Sequence, residues 1–216
     1  MTDSKSGQTD SDHLQEVLQI SEKDGERPGP IIVSRHGKPA LDRNAGPRLD
    51  WRAYKDWWAR YEIGSLAEGQ AAPEALKEIV KDSDVVLSSS RPRAFETATL
   101  AAPWATIEQS EMFYEANLPP PRWDGVKFLP KTWNILARAA WLRGHKLDGE
   151  GIRDAEARAD AAADYLIKRA EEGKVYLAAH GWFNRMLRPR LRARGWRCRI
   201  DGGDSYWSYR VYERVK

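Results

Sequence analysis

Cysteine is almost absent from this chain, whose 216 residues include only Cys198. A single thiol cannot form an intramolecular disulfide, and it excludes metal sites built from several thiolates. Disulfides persist in oxidising compartments and are rare in the cytoplasm. The sequence therefore favours a reducing, cytoplasmic location.

Long apolar runs are also absent. No stretch approaches the ~18 consecutive apolar residues that a transmembrane helix requires. Residues 1–12 are polar and acidic, without the basic start and apolar run of an export signal. We therefore expect no membrane partner, and we interpret residues 1–26 as a flexible, solvated N-terminal tail.

The chain has no strong excess of charge of one sign. Its formal net charge is +3, which by itself does not indicate a nucleic acid as partner. Charged residues make up 31% and hydrophobic residues 41% of the chain, a balance typical of a globular protein. This length allows one ordinary domain with a real core. We predict that domain over residues 27–216.

Basic residues are nevertheless concentrated just after His180. Seven arginines occupy a short span there: Arg185, Arg188, Arg190, Arg192, Arg194, Arg197 and Arg199. Several of them fall on different sides of a helix. We therefore interpret this run as the solvated face of a helix and its following loop, and not as a docking strip.

Periodicity predicts alternating strands and helices. Short apolar runs predict a strand that begins near Pro30 and ends in Arg-His-Gly, and strands at 85–88, 105–108 and 175–179, with an edge strand at 206–212. Helical spacing predicts helices over 51–61, 74–81, 93–101, 132–143, 153–172 and 182–194. The first helix carries an aromatic stripe of Trp51, Tyr54, Trp58 and Tyr61, either core or a wall over the site. The alternation predicts an α/β fold, a three-layer αβα sandwich with a mostly parallel sheet.

Two of the predicted strands end in a histidine followed by glycine. One apolar run ends in Arg35-His36-Gly37, and the other ends in His180-Gly181. A third strand ends in serines 88–90 and is followed by Arg91-Pro92-Arg93. Ligands of open α/β sheets bind beyond the carboxyl ends of the strands. These ends are therefore expected to converge on a phosphate group.

The residue types suit the hydrolysis of a phosphomonoester. A neutral His36 can attack phosphorus and form a phosphohistidine, and arginines 35 and 93 match phosphate oxygens. His180 would stabilise charge in the transition state. A carboxylic acid must protonate the leaving group; we prefer Glu115, with Glu111 and Asp124 as alternatives. This chemistry requires no metal and no cofactor.

Three segments carry a resemblance to a known family. They are Ser34-Arg35-His36-Gly37, the serine-rich stretch 88–98 with its Arg-Ala-x-x-Thr-Ala pattern at Arg93, and Ala179-His180-Gly181. In these segments the sequence resembles the histidine phosphatase superfamily, which includes phosphoglycerate mutases and small phosphatases. The resemblance implies that Arg93 binds phosphate, with Arg91 as an additional arginine, and that Glu115 is the acid.

The segment after His36 departs from the family pattern. Lys38 and Pro39 stand where members commonly carry an acidic and a hydroxyl residue, and Asp42 stands near a position often held by asparagine. Asn44 is an alternative for that contact, and Lys38 and Arg91 are possible substrate contacts. These departures argue against a close phosphoglycerate mutase.

Two functions remain from the sequence. One is a metal-independent phosphatase acting on a small phosphomonoester. The other is a catalytically weak phosphate-recognising module that binds a phosphoprotein or nucleic acid. The complete set of His36, Arg93, His180 and a carboxylate favours the enzyme, because a binding module needs neither nucleophile nor acid.

Overall fold

The computed structural model describes residues 27–145 and 149–215. The tail predicted over residues 1–26 lies outside these ranges. The strands are β1 (Ile31–Arg35), β2 (Val85–Ser89), β3 (Ile107–Ser110), β4 (Val175–Ala179), β5 (Trp196–Asp201) and β6 (Tyr209–Arg214). The helices are α1 (Trp51–Glu62), α2 (Glu74–Val80), α3 (Pro92–Ala101), α4 (Pro130–Leu142), α5 (Ile152–Ala170) and α6 (Gly181–Ala193). A short 3-10 turn, Glu111–Phe113, follows β3.

The six strands form one mixed sheet in the order β3-β2-β4-β1-β6-β5. The first four strands in this order are parallel, and β6 and β5 are antiparallel additions. Strands β1, β2 and β4 lie side by side and are almost entirely buried. Because they are parallel, their carboxyl ends meet at the same edge of the sheet.

Helices cover both faces of the sheet, as predicted. On one face α5 and α6 contribute residues such as Ala162, Leu166 and Leu187 to a cluster with alternate strand residues. On the other face α2 packs through Leu76 and Ile79, and α3 packs through Ala98 and Ala101. The result is a three-layer αβα sandwich, which confirms the predicted fold class.

The aromatic stripe of α1 lies in a third cluster, away from the sheet. Tyr54 and Tyr61 are buried, and Tyr54 stacks 5.7 Å from Trp133 of α4, measured between ring centroids. Trp51 and Trp58 are partly buried at the margin of the same cluster. The stripe is therefore core between two helices, while the end of α1 also reaches the candidate site described below.

The carboxyl-terminal part differs from the prediction. The predicted loop after α6 is the strand β5, and the predicted edge strand 206–212 is β6, which lies between β1 and β5. In β5 the partly or fully buried Trp196 and Cys198 alternate with the exposed Arg197 and Arg199. This period of two is a strand signal that the density of arginines obscured.

Other boundaries moved by a few residues. Helix α4 begins at Pro130, because proline suits the first helical position, where no N–H partner is lost. Strand β3 lies at Ile107–Ser110 and not at 105–108. Within residues 27–145 and 149–215, no helix is both long enough and apolar enough to cross a membrane.

Candidate active site

His36 is held at the end of β1 by its own backbone and ring. Its backbone N–H donates to the carbonyl of Ala179 at the end of β4, at 3.0 Å. Its ring Nδ1 lies 2.7 Å from the carbonyl oxygen of Gly37. Because a carbonyl only accepts, Nδ1 carries the proton and Nε2 keeps its lone pair.

His180 lies directly beside it. The two ring centroids are 5.1 Å apart, with an angle of 62° between the ring planes. His180 is the N-cap residue of α6, and its Nε2 is 2.9 Å from the hydroxyl of Ser89 at the end of β2. Its Nδ1 is buried without a hydrogen-bond partner. The ends of β1, β2 and β4 therefore meet at one point, as expected from the sequence.

Burial keeps both imidazoles neutral. The side chains of His36 and His180 are almost completely buried. Desolvation holds the pKa of each well below 6.5, and the positive charge of Arg93 lowers it further. Arg35 contributes in the same direction to both. A neutral ring with an unprotonated Nε2, as in His36, is the form of histidine that can act as a nucleophile.

Arg93, at the start of α3, is fully buried beside His36. Its Nε–H donates to His36 Nε2 at 3.4 Å. Its Nη1 donates to the carbonyls of Tyr61 and Glu62, at 2.9 and 3.0 Å, and its Nη2 donates to the carboxylate of Glu62 at 2.8 Å. The guanidinium is therefore oriented toward His36 by the last turn of α1.

Arg35 contacts the loop that precedes β6. Its Nη1 donates to the carbonyl of Asp204 at 2.5 Å, and its guanidinium lies 4.4 Å from the ring centroid of Tyr206. The Tyr206 ring is also 5.7 Å from that of His36. Arg35 Nε is buried without a hydrogen-bond partner. The loop before β6 thus forms one wall of the site.

The two possible substrate contacts are placed differently. Arg91 precedes α3 and forms an ion pair with Glu62, with 3.3 Å between Nε and the carboxylate oxygen. Lys38 is exposed, and its backbone N–H and carbonyl are both hydrogen-bonded to the Gln70 side chain. Arg91 therefore shares the Glu62 carboxylate with Arg93, whereas Lys38 lies at the exposed edge of the site.

The alternative residues after His36 interact with each other. The amide side chain of Asn44 donates to the carboxylate of Asp42 at 3.0 Å, and the Asn44 backbone N–H donates to the same oxygen. These hydrogen bonds lower the pKa of Asp42. Both residues are thus engaged in a local turn.

The candidate acids have distinct surroundings. The Glu115 carboxylate accepts from the backbone N–H groups of Trp182 and Phe183, at 3.1 and 2.8 Å, in the first turn of α6 after His180. Asp124 is exposed, and hydrogen bonds from Arg52 and the Trp51 indole lower its pKa. The remaining candidate, the glutamate at position 111, is exposed on the 3-10 turn. Glu115 alone contacts the element that carries His180.

Three residues of this site were not predicted from the sequence. Glu62 directly follows the predicted helix 51–61, Arg43 had no predicted role, and Tyr206 lies in a predicted strand. Arg43 lies 5.9 Å from the Tyr206 ring centroid, and its charge lowers the pKa of His36. Among the residues that the structure describes, no three His, Cys, Asp or Glu side chains are grouped as metal ligands would be.

The profile of the histidine phosphatase superfamily, branch 1, matches residues 31–201, which is most of the chain and includes both histidine segments. The chain belongs to this superfamily. Comparison with curated protein sequences gives no match. The family predicted from the three motifs is therefore confirmed.

Solved structures of other proteins share the fold. A mycobacterial glucosyl-3-phosphoglycerate phosphatase is similar with a TM-score of 0.52 and 21% identity, over 76% of this chain and 80% of that one. A phosphoserine phosphatase from Entamoeba histolytica, in complex with 3-phosphoglyceric acid, gives 0.54 and 17%, over 76% and 80%. YhfR of Bacillus stearothermophilus gives 0.54 and 20%, with the same coverage. At these identities the likeness shows the fold.

Proposed function

We propose that this histidine phosphatase is a metal-independent phosphatase that hydrolyses small phosphomonoesters through a phosphohistidine on His36. One observation carries the proposal. The neutral His36 ring presents its unprotonated Nε2 next to a second buried histidine and the Nε of Arg93. A pure phosphate-binding module has no use for a nucleophile held in that tautomer.

The first step transfers the phosphoryl group to the enzyme. His36 Nε2 attacks phosphorus, the N–P bond forms, and the bond from phosphorus to the ester oxygen breaks. The leaving alkoxide takes a proton from the protonated carboxyl of Glu115, acting as general acid. The closeness of Glu115 to the His180 end of α6 supports this role over the exposed Glu111 and Asp124.

The second step returns the enzyme to its starting state. The Glu115 carboxylate removes a proton from water, which attacks phosphorus and breaks the N–P bond. Inorganic phosphate leaves, and Glu115 is protonated again. Using one residue first as acid and then as base follows from the similarity of the two half-reactions.

The phosphate is held by the surrounding positive and donor groups. Arg35 and Arg93 bind its oxygens, and His180 donates a hydrogen bond that strengthens as charge develops. The unpartnered Arg35 Nε and His180 Nδ1 support these assignments, because a buried polar atom without a partner is costly unless a ligand satisfies it. Arg91 and Lys38 contact the rest of the substrate.

The similar glucosyl-3-phosphoglycerate phosphatase and phosphoserine phosphatase favour a phosphatase over a mutase for this chain.

The lone cysteine supports the cytoplasmic location expected from the sequence.

The test is hydrolysis of p-nitrophenyl phosphate in excess EDTA, with His36→Ala as the matched variant. We expect full activity of the wild-type protein with chelator and a loss of about 10³-fold or more in His36→Ala, since the covalent route is removed. Equal turnover by both proteins would remove His36 from the mechanism and leave a phosphate-binding module. Activity abolished by EDTA and restored by a divalent cation would overturn metal independence.

A further inference from the structure

A second concave site lies at the edge of the sheet formed by β5. It is a groove of about 520 Å³ between β5 and α6, and we call it the β5 groove. Four arginines and one aspartate line it: Arg188, Arg192, Arg197, Arg199 and Asp201. The superfamily chemistry described above does not involve these residues. The ligand of the β5 groove therefore does not follow from the proposed phosphatase reaction.

The β5 groove keeps uncompensated positive charge. Arg188 pairs with Asp201 at 2.8 Å, and Arg199 pairs with Glu213 at 3.1 Å. Within the described part of the chain, no carboxylate is within ion-pair distance of Arg192 or Arg197. Both side chains are exposed. By contrast, other arginines of the run are paired with Asp160, Asp164 and Asp204.

Two further features favour an extended, acceptor-rich occupant. Strand β5 is the terminal strand of the sheet, so one side of its backbone is available for hydrogen bonding. The indole Nε1 of Trp196, which also lines the groove, is buried without a hydrogen-bond acceptor. Arginine side chains and N–H donors together select carboxylates in an extended segment.

The chain itself contains such a segment. Residues 1–26 include seven acidic and two basic residues, a net charge of −5. Residues 27–216 then have 33 basic and 25 acidic residues, a net charge of +8. The segment and the rest of the chain are thus oppositely charged. Electrostatic attraction between them is strongest where positive charge is unpaired.

The acidic segment is long enough to reach the groove. Ile31, the first residue of β1, pairs with Tyr212 of β6, and Tyr212 pairs with Cys198 of β5. Two strand spacings amount to about 10 Å. Just before β1 the chain lies on the other side of this strand, where the Gly29 N–H donates to the carbonyl of Ala170 at 2.7 Å. Residues 1–26 span up to about 86 Å when extended, which is enough to cross this distance.

We propose that the acidic N-terminal segment, residues 1–26, docks intramolecularly in the β5 groove through its carboxylates. Tethering raises the effective concentration of the segment at the groove to the millimolar range, so modest attraction is sufficient. Because Arg192 and Arg197 are exposed, the contact is sensitive to salt. This proposal is independent of the phosphatase mechanism.

The test uses the full-length ¹⁵N-labelled chain with a nitroxide on Ser11→Cys in a Cys198→Ser background. We expect paramagnetic broadening of the β5 amides Arg197 and Arg199, and none at Glu108 and Gln109 of β3, the opposite edge of the sheet. Broadening at β5 should fall at least fivefold in about 1 M salt, where the Debye length is about 3 Å.

A matched pair of charge reversals identifies the contact. Arg192→Glu with Arg197→Glu should abolish the broadening at β5. Arg60→Glu with Lys131→Glu, which changes the net charge equally at exposed positions elsewhere, should preserve it. Broadening that persists in the groove variant, or that is equal at both edges, overturns the proposal.

Other occupants give distinguishable results. A second sample mixes a spin-labelled chain without ¹⁵N with a ¹⁵N-labelled chain without the nitroxide. Broadening of the β5 amides in this mixture would assign the groove to a second copy and overturn intramolecular docking. An unbroadened β5, combined with binding of a single-stranded oligonucleotide that the groove variant loses, would assign the groove to nucleic acid and equally overturn it.

Discussion

The carboxylate of Glu115 is held near the proposed reacting centre by the first turn of α6. Its oxygens accept from the N–H groups of Trp182 and Phe183, which follow His180 by two and three residues. These N–H groups belong to the first turn of α6 and have no partner within the helix. The contact fixes the position of Glu115 relative to the histidine pair.

Glu115→Gln gives a prediction that depends on the leaving group. An alkyl phosphate needs a proton on its leaving oxygen, so we expect its kcat/KM to fall about 10²–10⁴-fold. The p-nitrophenolate anion leaves without a proton, so kcat/KM for its ester should change little. The measurement is a kcat/KM series over esters of different leaving-group pKa, because kcat/KM reports formation of the phosphoenzyme and not its hydrolysis. Glu111→Gln, exposed on the 3-10 turn, is the control. An equal loss of kcat/KM on all esters would contradict the role.

The sequence was sufficient to predict most residues that meet in the candidate site. It was not sufficient to predict the residues that orient them. The approach of His36 to His180 follows from strand-end positions, which parallel strands bring to one edge. The clamp on Arg93 by Glu62 joins positions 31 apart through the packing of α1, and no local pattern encodes that contact. Tyr206 likewise reaches the site through a loop whose conformation is tertiary.

At the level of elements, α1 connects the aromatic cluster to Arg93, which we propose binds phosphate, and to Arg91. Its last turn supplies two carbonyls and the Glu62 carboxylate to Arg93, and the same carboxylate pairs with Arg91. The Arg93 side chain is 1% exposed and that of Glu62 is 13% exposed. Because its contacts are with these arginines, we propose that Glu62 is a positioning residue.

Glu62→Ala should therefore affect stability and substrate use together. Loss of a hydrogen bond to a buried charged group lowers the free energy of unfolding by about 1.5–3 kcal/mol. We also expect kcat/KM for p-nitrophenyl phosphate to fall about tenfold, equivalent to about 1.4 kcal/mol, with Glu62→Gln retaining part of it through its amide oxygen.

Urea unfolding and steady-state kinetics measure the two effects of Glu62→Ala. The control is Glu74→Ala, whose side chain is 82% exposed and forms an ion pair with Lys77. An exposed pair of this kind contributes about 0–1 kcal/mol. A Glu62→Ala protein with the stability and kcat/KM of this control would contradict the positioning role.

The one element that was missed illustrates the limit of pattern reading. The stretch that forms β5 contains Arg197 and Arg199 within a dense arginine run, which suggested a loop. Its strand character depends on pairing with β6, a contact that exists only once the sheet has formed. β-propensity is more dependent on such context than helix propensity is.

For the whole molecule, two buried neutral histidines make stability depend on pH. Folding lowers the pKa of both His36 and His180 below 6.5. Below that pH the unfolded chain binds protons that the folded protein does not, so stability decreases as pH falls. Each histidine contributes up to about 1.4 kcal/mol per pH unit between its unfolded and folded pKa values.

We therefore expect the free energy of unfolding to decrease steadily as pH falls from about 6.5 to about 5. His36→Asn, which removes one of the two groups, should reduce this slope by roughly half of the histidine contribution. Urea unfolding at a series of pH values measures it. Identical slopes for the wild-type protein and His36→Asn would show that His36 is not held neutral by the fold.

The central claim is that His36 Nε2 becomes phosphorylated during turnover. The most direct measurement is rapid alkaline quenching of the wild-type protein with substrate, followed by mass spectrometry of its peptides under conditions that preserve phosphohistidine. We predict one phosphoryl group on His36, absent without substrate and absent in His36→Ala. A phosphoryl group on another side chain, or incorporation that is unchanged in His36→Ala, would contradict the account.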